Sequence, residues 1–269
     1  MSKIYALARV ATPVLNQSNF KEIFGGADGK SLPLDDQKLL RGIETIALPG
    51  TKFVILETCG HNICKVATNE YLGDRLYVDD RFLQMCDHEP LERRKEKPSL
   101  STILKNLKQA IGLPYVWGGN WSYGIPEMKE WYPPLISFNS LDLDSQNHWM
   151  MKGVDCSGLL FQSTNGYTPR NTSQLLNYGF SVRIENLSLE KIINKLQDLD
   201  LIVWQGHVII VIGPEYVIES ARGNGVFTSN LTERLRELMK EKKPVDDWTS
   251  SEAIGERFVI RRWHPSIIS

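Results

Sequence analysis

Gly153-Val154-Asp155-Cys156-Ser157-Gly158-Leu159-Leu160-Phe161 joins a polar turn to an apolar run, with a cysteine at the junction. Asp155 is a residue type that caps helix N-termini. The pattern predicts a helix that starts at Cys156 and stops near Asn165-Gly166, where glycine supplies a left-handed end. A cysteine so placed has its sulfur at the positive end of the helix, where the dipole favours thiolate over thiol. A cysteine used only for packing sits more often in mid-helix among Leu and Val. The stretch therefore reads as a nucleophile at the start of a buried helix.

A cysteine nucleophile needs a base within hydrogen-bond reach and a group to orient that base. Downstream, Leu201-Ile202-Val203-Trp204 and Val208-Ile209-Ile210-Val211-Ile212 are apolar runs bounded by Gly206 and Gly213-Pro214, as buried strands are. His207 opens the second run directly after Gly206, which makes it the best base among five histidines. Glu219 follows twelve residues on, beyond the Gly213-Pro214-Glu215 turn. A hairpin of that size puts the two on neighbouring strands, and the even spacing fits one shared face. A carboxylate beside His207 fixes one tautomer and favours imidazolium, and so a thiolate–imidazolium pair. Taken singly, His207 also fits a strand-end histidine satisfied by backbone, and Glu219 an exposed strand charge.

Around this centre, Leu100, Ile103, Leu104, Leu107 and Ile111 follow helical spacing and Gly112 ends the run. A short helix is expected at 171–178, an amphipathic one at 189–196 and a charged one at 231–242, before a last strand at 257–263. Helices first and strands after give an α+β order. Residues 1–88 instead read as short strands with turn signals, including a hairpin at Cys59-Gly60-His61, as in a small barrel or sandwich. Residues 88–99 are charged and bracketed by Pro90 and Pro98, which marks a boundary. The stretch 121–152 is long and rich in aromatics, too long for a passive connection. One expectation is that its aromatics wall a cleft.

The chain has 269 residues, 42% hydrophobic and 23% charged, with a formal net charge of -1. That balance gives no sign of nucleic-acid or membrane-surface binding. Arg9 interrupts the N-terminal apolar residues, and no later run approaches the ~18 apolar residues of a membrane span. A cytoplasmic location is the expectation, or a periplasmic one if a leader has been removed. The cysteines at 59, 64, 86 and 156 are too sparse for a disulfide scaffold. Cys59-x-His61-x-x-Cys64 with Cys86-x-His88 contains enough ligands for zinc, but the first spacing is tight and Asn62 fits a hairpin tip. No metal and no cofactor is assigned.

Tyr115-x-Trp117-Gly118-Gly119, Asp155-Cys156-Ser157-Gly158-Leu159, Pro169-Arg170-Asn171-Thr172-Ser173-Gln174 and Gly206-His207-Val208, in this order, resemble the NlpC-type cell-wall cysteine peptidases. These are papain-like enzymes that cleave peptidoglycan stem peptides. The resemblance spans about residues 100–263, and the N-terminal part is similar to the bacterial SH3-like domains that precede the peptidase in many relatives. It implies an α+β protein with an SH3-like β-barrel at 1–88, a linker at 89–99 and a papain-like domain at 100–269 carrying 121–152 as an insertion.

The same resemblance implies catalysis by Cys156 and His207, with Tyr115 helping to stabilise the oxyanion and Glu219 in the third position, where the family usually has His. Asp155, Ser157, Trp117 and Thr172 are implied as substrate contacts, Asp155 near a free L-Ala amine. Gly118-Gly119 is expected to admit substrate backbone, and Arg170 to be structural. The implied reaction is hydrolysis of the γ-D-glutamyl–diaminopimelate bond in short free peptides, in turnover or recycling. The implied partner is a peptidoglycan-derived peptide, with oligomeric state left open. A non-catalytic peptidoglycan-binding module and a papain-like acyltransferase are the alternatives. Intact Cys156, His207 and Tyr115 argue against the first, and the lack of an apolar entry helix or anchor against the second.

Overall fold

A computed structural model describes residues 3–249 and 256–264. The fold is mixed α and β, with antiparallel main sheets. The chain divides into two compact units, Met1–Lys95 with Pro114–Asp155, and Glu96–Leu113 with Cys156–Ser269. The sequence places one boundary at 89–99. By packing the chain divides at 95/96, 113/114 and 155/156.

In the first unit, β1 (Ile4–Ala8), β2 (Thr12–Leu15), β3 (Ile43–Ala47), β4 (Lys52–Thr58), β5 (Ile63–Ala67), β6 (Leu76–Asp79) and β7 (Leu83–Cys86) form one sheet. Their order is β3-β2-β6-β5-β4-β1-β7. Among the described residues this is an open path, with no pairing that closes it into the small barrel expected from the sequence. The β4–β5 hairpin turns at Gly60, His61 and Asn62, all at positive φ, which accounts for the glycine and asparagine there.

One apolar cluster of this unit gathers Ala6, Val14, Phe53, Val66, Leu76 and Val78. A second joins Phe20, Ile43, Ile46 and Phe82 to Met128, Tyr132, Trp149 and Met151. The stretch 121–152 is thus built into a core. Its helices Glu127–Trp131 and Leu143–Trp149 deliver a fully buried Trp149, whose indole N–H donates to the Tyr132 carbonyl at 2.8 Å. Trp149 is fully buried, as the gain from burying a large ring favours, while Trp131 and Tyr132 line a cavity with Phe20, His61 and Arg81. Residues of the expected linker also lie against this unit through ion pairs. Lys52 meets Glu89 at 2.9 Å and Glu92 at 2.8 Å, and Arg93 meets Glu70 at 3.0 Å.

A two-stranded ribbon, β8 (Asn120–Trp121) with β9 (Gly153–Val154), closes this stretch. Asn120 is fully buried and is satisfied by β3. Its carbonyl accepts from Thr45 and from the Ile46 N–H, both at 3.0 Å, and its amide donates to the Ile46 carbonyl at 2.8 Å. An amide paired on both ends costs little to bury and fixes position.

In the second unit, β10 (Phe180–Ser181), β11 (Leu201–Trp204), β12 (His207–Val211), β13 (Tyr216–Ala221), β14 (Gly225–Asn230) and β16 (Arg257–Arg262) run in the order β10-β16-β11-β12-β13-β14, and β15 (Lys243–Pro244) pairs with β16. The predicted strands 201–204, 208–212, 216–220 and 257–263 all lie in this sheet. The helix Leu100–Gln109 is capped by Ser99 and buries Ile103 and Leu107. The helix Leu231–Glu241 is capped by Asn230 and buries Leu231, Leu235 and Leu238 into the cluster with Ile202, Ile209 and Val217.

The central helix is Cys156–Ser163, buried at seven of its eight positions. Its buried positions lie on all sides, as those of an enclosed helix do. It stops as the sequence predicts, with Asn165 and Gly166 at positive φ and the Gly166 N–H bonded to the Phe161 carbonyl at 2.8 Å.

Candidate active site

The β11–β12 hairpin turns through Gln205-Gly206, with Gly206 at φ +89° where a non-glycine residue would be strained. That turn sets His207 at the first position of β12, opposite Trp204. The β12–β13 register pairs Ile210 with Ile218 and Val211 with Val217. Extending it by alternation puts Glu219 one step diagonally from His207 on the same face. The side chains meet, His207 Nε2 lying 2.7 Å from Glu219 Oε2. The even spacing read from the sequence does what a shared sheet face requires.

With Nε2 committed to Glu219, the ring nitrogen left for the sulfur is Nδ1, and His207 is hydrogen-bonded to Cys156. The Cys156 sulfur also lies 3.7 Å from Thr172 Oγ1 and 3.8 Å from the Gly206 carbonyl oxygen. Thr172 opens the short helix Thr172–Leu175. The second unit therefore brings together Cys156, His207, Glu219 and Thr172. Burial by itself pulls the His207 imidazolium down. Hydrogen bonding and charge from Cys156 and Glu219 outweigh it and hold the group up at about 9.

Glu219 is 1% exposed. Burial pushes its carboxyl up, but His207 and Arg234 together bring it below the ordinary carboxylate value. Arg234, from the helix Leu231–Glu241, donates through Nε to Oε1 at 2.6 Å and through its second nitrogen to Oε2 at 3.1 Å. Nothing in the sequence marks Arg234. It lies in a run of alternating charges that reads as a solvated helix face. Trp204 was likewise read only as the end of an apolar strand. Its ring packs on the His207 ring, centroids 4.9 Å apart.

The other candidates are placed as follows. Ser157 is buried, and its hydroxyl receives Arg170 at 3.0 Å, so the arginine read as structural is the partner of a candidate substrate contact. Asp155 is buried at the end of the first unit, where its carboxylate accepts from the Gly118 N–H at 3.1 Å. Gly118 is at φ +71°, and a Cβ there would meet Ile43 at 2.5 Å. A Cβ at Gly119 would meet the Gly153 carbonyl at 2.6 Å. Close approach of the chain's own backbone and side chains thus leaves no room for a Cβ at either glycine. Trp117 is half-buried with the Arg41 guanidinium 4.2 Å above its ring. Tyr115 is half-buried in the same stretch of the first unit.

Among the described residues, no group of three or more His, Cys, Asp or Glu side chains is placed to hold a metal ion. Cys59 is exposed and Cys64 buried on the two sides of the β4–β5 turn. No helix among the described residues is long and apolar enough to cross a membrane.

A buried thiol, an imidazole hydrogen-bonded to a carboxylate and an arginine on that carboxylate thus lie side by side in the second unit. No family model and no curated protein matches the chain. Among solved structures it is similar to an NlpC/P60 family protein from Bacillus cereus, at 16% identity and a TM-score of 0.36. That likeness covers 98% of this chain, which spans 64% of the other's length. It is similar to NlpC1 from Trichomonas vaginalis at 12% identity and a TM-score of 0.34, covering 97% of this chain and 69% of that one. For a hypothetical invasion protein of Mycobacterium tuberculosis the values are 21% and 0.34, covering 49% and 55%.

Proposed function

We propose that the protein is a cysteine peptidase of the NlpC type, in which Cys156 is the nucleophile, His207 the acid–base group and Glu219 the orienting carboxylate. The observation that carries this reading is the continuous contact from thiol to imidazole to buried carboxylate, with His207 Nε2 at 2.7 Å from Glu219. The Cys156 proton passes to His207 Nδ1. The thiolate then attacks the scissile carbonyl carbon, and the carbonyl electron pair moves to oxygen. On collapse the C–N bond breaks and His207 returns the proton to the leaving amine. A water then gives its proton to His207, its oxygen attacks the thioester, and the Cys156 thiolate leaves.

The first backbone N–H groups of the helix Cys156–Ser163 are suitable donors to the oxyanion. The motif around Tyr115 supports the same role for that side chain. The substrate proposed is the γ-D-glutamyl–diaminopimelate bond of short stem peptides, in wall turnover or recycling. Support for it comes from the motifs, with Asp155 supplying the carboxylate that a free L-Ala amine calls for. Trp117 and Thr172 are the other proposed contacts, and Ser157 becomes one if Arg170 shares its hydroxyl. Residues 1–88 are read in the same way as an SH3-like domain.

Mass spectrometry of products from defined stem peptides tests this. Wild type should release a diaminopimelate-containing product that Cys156→Ala does not. Acetylating the substrate N-terminus should slow the wild type sharply, and equal rates on both substrates would remove the free-amine requirement.

A further inference from the structure

Glu219 has more partners than orienting a histidine requires. Both of its oxygens are taken by one guanidinium, at 2.6 and 3.1 Å, while His207 shares only Oε2. Arg234 is itself held in place. Its guanidinium lies 5.9 Å from the Trp204 ring, whose neighbour at 4.9 Å is His207, and Lys242 approaches the same ring at 5.7 Å. The helix that carries Arg234 is anchored by Leu231, Leu235 and Leu238.

A proton-transfer cycle explains the arrangement. With only His207 as counter-ion, a carboxylate at 1% exposure is paired while the ring is imidazolium and left alone each time the ring gives up its proton. An unpaired buried charge is costly, so the last proton would stay on the pair. A second, permanent cation removes that coupling.

We propose that Arg234 is a positioning residue, whose permanent charge keeps Glu219 ionised and facing Nε2 in both protonation states of His207, so that the imidazole alone cycles its proton. This rests on the reading of Cys156 and His207 as a catalytic pair. The charged and titratable groups facing the pair come from two helices and from the residue that follows one of them. Cys156 lies on its helix, Arg234 on the helix Leu231–Glu241 with Glu237 and Glu241 acting on it, and Lys242 beyond that helix. Strands β11 and β14 contribute none. The ordinary value for the imidazole is 6.5, and in the intact site it stands at about 9.

The test is an NMR titration of the His207 ring nitrogens in the Cys156→Ala protein, with and without Arg234→Met. This background removes the thiolate and any dependence on turnover. Without Arg234 the upper midpoint of the His207–Glu219 pair should rise by about one unit, a tenfold tighter hold on the last proton. A folded variant whose midpoint stays put or drifts down toward 6.5 overturns the proposal, because loosening alone hydrates the ring and moves it that way. Arg234→Lys, which keeps the charge and loses the fork, should titrate as the Arg234 protein does. If Arg234→Met does not fold, a displaced midpoint in Arg234→Lys overturns the proposal by itself. Failure of wild type to cleave any stem peptide would sink the peptidase reading and leave these titrations to stand or fall on their own.

Discussion

Two buried carboxylates in this molecule have nearly the same surroundings and opposite chemical prospects. In the first unit Asp79 is fully buried, takes the Arg81 fork with Nε at 3.0 and 3.1 Å, and receives the Tyr132 hydroxyl at 2.5 Å. In the second unit Glu219 is 1% exposed, takes the Arg234 fork and meets the His207 ring at 2.7 Å. Both are satisfied as a buried charge must be. They differ in the third partner. Burial first, and then the bond to Asp79, push the Tyr132 phenol far above its ordinary value, so the phenol keeps its proton near neutrality. His207 stands at about 9 and is joined to a thiol. A carboxylate–arginine fork is a fixture, and the group it holds decides whether the site is a brace or a machine.

The largest effects should separate the two clusters outright. Cys156→Ala and His207→Ala should each lower kcat by about 10⁴-fold or more, as removal of a nucleophile or its base does, with little change in thermal stability. Asp79→Asn should do the reverse. It should cost about 3–5 kcal/mol in denaturant unfolding by leaving Arg81 half-paired, while kcat of the folded fraction stays within a fewfold. A kcat collapse in Asp79→Asn would break the comparison.

Glu219→Gln keeps shape and removes charge. It should lower kcat by about 10²–10⁴-fold and move the basic limb of the pH–rate profile down from about 9. A limb that stays in place would show that Glu219 does not support the imidazolium. Tyr132→Phe removes one bond to a charged group and should cost about 1.5–3 kcal/mol of stability, leaving that limb untouched.

The smallest effect is in the pH dependence of stability. Because folding raises the His207 value from 6.5 to about 9, its contribution is complete below about 6.5 and is lost as pH rises through about 9. Folding lowers the Glu219 value, so its contribution is present above the ordinary carboxylate value and is lost as pH falls through the folded one. Melting temperatures from pH 6 to 10 should fall more in wild type than in Glu219→Gln.

Much of the second unit was legible because its signals are local. The Asp155-Cys156 junction, the stop at Asn165-Gly166, the apolar runs 201–204 and 208–212 and the twelve-residue spacing from His207 to Glu219 all follow from helix and strand periods. The helix at 231–242 was equally legible, but its role was not. Arg234 looks like any other charge on an amphipathic helix until the hairpin brings Glu219 beneath it. Ser157 and Arg170 are similar, since nothing thirteen residues apart announces a buried hydroxyl and its donor.

In the first unit the local signals were right and their assembly was not visible. Short strands and the turn at Gly60 were expected and are present. The path of the sheet, open from β3 to β7 among the described residues, depends on pairings between distant segments. Aromatics far from any periodic pattern, such as Tyr132 and Trp149, have no inside that the sequence assigns. The partners of Tyr132, which are Phe20, Phe24 and Asp79, lie more than fifty residues away in sequence.

The sequence by itself determined the helix that starts at Cys156, the hairpins that carry His207 and Glu219, and the residue types from which a thiol–imidazole–carboxylate line can be made. These rest on backbone periods of 3.6 and 2.0 and on turn residues, which act over a few positions. Only the tertiary structure decided that Glu219 is clamped by Arg234, that Ile43 and Gly153 leave no room for a Cβ at Gly118 and Gly119, and that Tyr132 and Trp149 are buried. Those outcomes depend on which distant surfaces exclude water together, and no local pattern encodes that.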